Sequence, residues 1–98
     1  MSSPKCVFIP REYAIELRRK HRKARPKLAV EANILASTLG YFEKGRNLQA
    51  INLFYVLEKL AEVYNMPVEV ILHMELEYQR ELRKVRKVYY EQISDKNK

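Results

Sequence analysis

The sequence predicts an all-α fold of five helices with an additional helix at the C-terminus, and three observations carry that prediction. Only two glycines and four prolines punctuate 98 residues, too few turn signals for a β-sandwich or barrel. Apolar residues recur at spacings of three and four through most of the chain. The length suits one domain around a single small core and leaves no room for a two-lobed enzyme. The expected division is an N-terminal arm over residues 1–9, a five-helix domain over 10–74, a C-terminal helix over 75–93 and a disordered tail over 94–98.

The arm carries a short apolar cluster, Cys6 to Ile9, which could form an edge strand or pack across a partner subunit. Pro10 suits a first helical turn, where its missing N–H costs nothing, and Glu12 suits the positive end of the helix dipole. The first helix is therefore placed over 10–23, with Tyr13, Leu17 and His21 inward. Pro26 stops that helix and starts a short second one over 26–32, with Leu28, Ala29 and Ala32 inward. Asn33 tolerates the left-handed backbone of a sharp turn. The third helix follows over 35–44, with Leu35, Leu39 and Phe42 inward and Gly45 as its C-terminal cap. Asn47 is a competent N-cap for the fourth helix, whose stripe runs Leu53, Val56, Leu57, Leu60, Ala61 and Tyr64. Asn65 and Pro67 break the chain again before Val68, Ile71 and Leu72, and the charged helix over 75–93 comes last.

The net charge is +7, and its placement says more than its sum. Residues 1–27 hold nine bases against two acids, while the remainder balances ten against ten. A patch of one sign seeks a polyanion such as nucleic acid or an acidic membrane surface, or else an acidic protein. A lone cysteine, Cys6, excludes an internal disulfide and leaves a structural zinc site short of sulfur, which fits a reducing, cytoplasmic setting. No apolar run is long enough for a signal peptide or a membrane span.

A basic first helix, a short helix with small inward residues, a tight turn and a second short helix together describe a helix-turn-helix. The segment LAVEANILASTLGYFEKGR (28–46) resembles the lambda-repressor-like Cro/XRE helix-turn-helix family. Leu28, Ala29, Ala32, Asn33 in the place of the turn glycine, Ile34, Leu39, Phe42, Glu43 and Gly45 follow its pattern in order without a gap. The family's tail recurs as LEKLAEVYNMPVEVIL (57–72), so the resemblance spans about residues 12–72. It departs in three places. The loop after Gly45 is longer than usual, Arg25 stands where the family has glutamine, and Gly40 interrupts the recognition helix.

That resemblance implies duplex DNA as partner, read by the outer face of the third helix. With Leu35, Leu39 and Phe42 inward, that face presents Ser37, Gly40, Tyr41 and Lys44, beside Ala36 and Thr38 on the first turn. Ser37 can donate or accept at a base edge, Tyr41 can touch a thymine methyl or a phosphate, and Lys44 can reach phosphate or guanine. Arg25, Lys27 and Arg46 are the expected phosphate clamps, with help from Arg18, Arg19 and Arg22. Glu43 reads as a structural partner for nearby backbone or for a base on the second helix.

Catalysis finds no support. His21 and His73 lie far apart, Cys6 has no identifiable base, and HMELE lacks the second histidine of a zinc-binding HExxH. No metal and no cofactor is called for. In the last helix Tyr78, Leu82, Val85 and Tyr89 step by four, three and four, a two-heptad seam that either dimerises or folds back on its own domain. The function expected is a sequence-specific, dimeric DNA-binding regulator of the Cro/XRE type, a repressor. The competing reading is an adaptor or antitoxin-like module whose main partner is another protein.

Overall fold

The computed structural model describes residues 8–46 and 48–96. Among these residues the chain is all-α. Five helices follow one another: α1 Glu12–Lys20, α2 Arg25–Glu31, α3 Ala36–Lys44, α4 Ala50–Val63 and α5 Val68–Lys96. Phe42, Leu28, Leu39, Leu57, Leu60, Ile71 and Val56 are fully buried, and Ala14, Ala29, Ala32 and Ile34 complete the centre. Burial of such apolar surface is the main source of stability in a chain of this size.

The first four helices close in one way. Backbone N–H groups fold back onto carbonyls five residues upstream, Lys23 to Arg18, Ile34 to Ala29, Arg46 to Tyr41 and Met66 to Ala61. Each closure needs one left-handed residue, and Arg22, Asn33, Gly45 and Asn65 supply it, at φ 53°, 55°, 79° and 53°. Asn33 and Gly45 stand where the sequence puts a turn and a cap. Arg22 explains why α1 stops at Lys20 and does not run to 23. Pro10 also lies outside α1, because Arg11 is the N-cap and its N–H bonds to the Glu43 carbonyl at 2.9 Å.

Four further expectations are corrected. Leu35 is not inward: it caps α3 and is 74 % exposed, because the turn delivers Ile34 to the core instead. His21 is exposed, with its ring stacked on Tyr64 at 4.3 Å between centroids. The fifth helix and the C-terminal helix are one continuous α5, since no breaker follows Pro67. Residues 94–96, placed in the disordered tail by the sequence, belong to this helix. The cap of α4 is Gln49, and Asn47, expected in that role, lies outside the described residues, as does the arm up to Val7.

Tyr64 is buried as expected, and its hydroxyl has no hydrogen-bond partner among the described residues. Burial, and then the charge of Glu43, push its pKa up to about 12. Burial also drives the Tyr13 hydroxyl upward, reinforced by Glu75. An unfolded tyrosine ionises near pH 10. The folded state holds the neutral form, so this stability is present below pH 10 and disappears as the pH climbs from 10 through 12. Urea midpoints should therefore fall steeply over that interval, with Tyr64 alone accounting for about 2–3 kcal/mol at the upper end. Tyr64→Phe should leave neutral-pH stability nearly unchanged, since no protein hydrogen bond is lost, and should flatten the alkaline fall.

Candidate nucleic-acid interface

α2 and α3 are packed together through Leu28, Ala29 and Ala32 on one side and Leu39 and Phe42 on the other. Their small inward residues let the two helix axes approach. The Asn33 turn then directs the outer face of α3 away from the body. On that face Ala36 and Ser37 are exposed, Thr38 is half-buried, Tyr41 is 46 % exposed and Lys44 is exposed. Arg25 and Lys27 on the first turn of α2, and Arg46 just after α3, are exposed as well. All eight residues singled out from the sequence thus lie on the α2–turn–α3 unit or directly after it.

The side chains on this face are held to different degrees. Arg46 sits with its guanidinium carbon 5.6 Å from the Tyr41 ring centre and 5.9 Å from that of Phe8, so the basic group is tethered beside the aromatic face. Arg25 lies 3.7 Å from Glu43, an ion pair too long for a hydrogen bond, and keeps much of its guanidinium in solvent. Lys27 and Lys44 make no ion pair among the described residues. A shallow cleft of about 420 Å³ next to α3 is lined by Arg18, Arg19, Arg25 and Lys44 together with Phe8, Glu12 and Glu43.

Glu43 organises this side of the molecule. Arg18 donates to both its oxygens, at 2.7 and 3.1 Å, and also to the Lys23 carbonyl at 3.2 Å. The carboxylate is buried, and the bidentate pair ties α1 to α3 while Arg25 approaches from α2. Its hydrogen bonds outweigh the cost of burial, so the Arg18 pKa is raised. Glu43 is thus a structural residue, but its close partner is Arg18 on α1 and not a base on α2, from which Arg25 stands off at 3.7 Å. Arg18 is committed inside the fold and does not stand free as a helper for phosphate contacts. Arg19 and Arg22 remain exposed.

No family of known proteins, no curated protein and no solved structure matches this chain. What the face can do is therefore argued from its own residues. It offers cations for phosphate oxygens, the Ser37 hydroxyl for a base edge and an aromatic plate, and α3 has no Asn, Gln or Arg to read a base with two hydrogen bonds. Among the described residues no group of three or more His, Cys, Asp and Glu is placed to hold a metal, and no helix is long and apolar enough to cross a membrane.

Gly40 faces the Arg25 side chain. A β-carbon there would stand 3.5 Å from the Arg25 Nη1, an ordinary contact. The fold does not need this glycine, so Gly40→Ala should raise stability by about 0.5–1 kcal/mol. If a duplex comes close to the α3 backbone, the same variant should bind it more weakly than wild type. Thermal unfolding and duplex titration of one protein preparation separate the two effects.

A second constellation escaped the sequence reading. Arg11, only 4 % exposed, donates from Nε and Nη2 to both oxygens of Glu75, at 2.8 and 3.0 Å, and from Nη1 to the Phe42 carbonyl at 2.8 Å. Its guanidinium lies between the rings of Phe42 and Tyr78, 4.6 Å from each centre. Tyr13 and Gln79 donate the remaining hydrogen bonds to Glu75, at 2.6 and 2.7 Å. Burial opposes the Arg11 charge, but Glu75 more than compensates, and the Arg11 pKa is raised. This is a satisfied polar staple between the start of α1, the end of α3 and α5.

The staple bears on the seam expected in the last helix. Tyr78 donates to the Ile9 carbonyl at 2.6 Å, and Leu82 is 5 % exposed within its own chain. Val85 is open to solvent, and the side chain of Tyr89 lies outside the described residues.

Proposed function

We propose that this chain is a DNA-binding transcription regulator of the Cro/XRE helix-turn-helix type with a lambda-repressor-like fold. It acts as a dimeric repressor in the cytoplasm. The outer face of α3, with Ser37, Tyr41 and Lys44 open to solvent and Arg25, Lys27 and Arg46 exposed on or directly after the same α2–turn–α3 unit, is the observation that carries this reading. Had Ser37 and Tyr41 been buried or covered by the chain's own tail, nothing would be left to enter a groove.

The contacts divide by role. Lys27, Arg25 and Arg46 meet phosphates and set affinity, while Ser37 and Tyr41 meet base edges and set what modest preference there is. Most of the binding is therefore electrostatic and falls steeply with salt. Titration of random-sequence and selected duplexes across a salt series tests this. Lys27→Ala should weaken binding to every duplex and reduce the salt slope by about one. Absence of measurable duplex affinity at low salt would refute the reading. It would favour an adaptor, for which the scarcity of base-reading side chains on α3 already speaks.

A further inference from the structure

Five large apolar side chains are bared around the α2–α3 turn and the start of α4. Val30 on α2 is 81 % exposed, Leu35 ahead of α3 is 74 %, and Ile51, Phe54 and Tyr55 on α4 are 75, 60 and 40 % exposed. The Tyr55 hydroxyl donates to the Asn33 carbonyl at 3.0 Å, which fastens the start of α4 to the turn that Val30 and Leu35 flank. Ile51 precedes Phe54 and Tyr55 by three and four residues, so the three share one helix face.

The surroundings are unusual for this chain. Almost a third of its residues are charged, yet residues 47–57 carry no charged side chain. An aromatic side chain offers about 150–250 Å² of surface and the aliphatics somewhat less, so at these exposures the patch amounts to roughly 500 Å². That is at the upper end of what a monomer leaves uncovered without a purpose.

We propose that this patch is the docking surface for a second copy of the same chain, each copy covering the other's patch across a two-fold axis. Two arguments choose a second copy. Molecules of charge +7 repel wherever their basic segments meet, and an uncharged surface is where two of them can approach without that cost. A two-fold contact also uses the patch twice, giving about 1,000 Å² of apolar surface before any polar rim. That meets the roughly 1,000 Å² a specific interface has to bury, and a polar rim would bring it toward the usual size of about 1,600 Å².

The candidate seam on α5 offers less, because Tyr78 and Leu82 are already engaged within the chain. Lys27 lies one turn before Val30 on α2, so the paired surface borders the basic face. The pairing does not depend on whether that face binds DNA.

Sedimentation equilibrium of the full chain without DNA, at high micromolar concentration, tests the proposal. The wild type should sediment with the mass of two chains, and Phe54→Asp with the mass of one. Val30→Asp, on a different helix, should repeat the Phe54→Asp result, and Val85→Asp should remain paired. All three sites are exposed, so circular dichroism should show unchanged folding. A wild type of single-chain mass overturns the proposal. So does a pair that survives Phe54→Asp and Val30→Asp, or one that only Val85→Asp dissociates. A pair that ignores DNA refutes the DNA-binding reading and leaves this proposal standing. A single chain that binds DNA refutes this proposal and the dimeric part of the functional reading, and leaves DNA binding standing.

Discussion

Replacing Glu75 by alanine is expected to lower the unfolding free energy by about 3–5 kcal/mol, the largest loss from any single side chain outside the apolar core. Glu75 accepts hydrogen bonds from Arg11, Tyr13 and Gln79 in a site from which water is excluded. Without the carboxylate the guanidinium stays between two aromatic rings with its charge uncompensated, and the penalty is that of an orphaned buried cation. Its Nη1 bond to the Phe42 carbonyl cannot offset that alone. Arg11→Ala should cost a similar amount. The double replacement should cost much less than the two together, because once one partner has gone the other is a liability. Urea denaturation of the four proteins closes the cycle. Additive losses would show that the pair is not coupled.

Gly45→Ala is expected to cost about 2–4 kcal/mol. The residue has φ 79°, where a β-carbon is already strained. The added carbon would also run into the Ile9 carbonyl and stand 2.8 Å from the Tyr78 hydroxyl. Ile9 and Tyr78 are hydrogen-bonded to each other, so the methyl group must push the segment before α1 away from α5. Gly40 provides the internal control: both glycines belong to one helix and its cap, yet alanine at 40 should stabilise and at 45 should destabilise. Thermal melts of the two variants side by side give the comparison, and a Gly45→Ala protein as stable as wild type would contradict the packing described.

The helices were legible where the chemistry of a residue restricts it to few conformations. Asn33, Gly45 and Asn65 could be placed because few residue types occupy the left-handed region readily, and the α4 stripe could be read because Val56, Leu57, Leu60, Ala61 and Tyr64 keep the helical period over several turns. Arg22 was not legible, since a β-carbon-bearing basic residue carries no such signature and is held there by the closure around it.

Leu35 was misread because its spacing from Leu39 satisfies the helical rule. Ile34 and Leu35 compete for one place in the core, and only the turn geometry decides between them. The outer face of α3 follows from the same wheel that finds its core. The Arg11–Glu75 staple could not be foreseen, because its members are 64 positions apart and an arginine next to a glutamate in a basic segment looks like solvated surface. Arg18 was misassigned for a related reason: sequence shows which groups are charged, not which are already neutralised.

α5 changes character along its 29 residues. Up to Leu82 it is anchored to the body. Beyond that point every described side chain lies in solvent except the half-buried Arg86. Starting a helix is the costly step, while extending one is nearly free. The packed half therefore acts as the nucleus from which the outer turns grow, and their coiling is borrowed from the domain. Excised as a short peptide, residues 83–96 would populate mainly random coil in water.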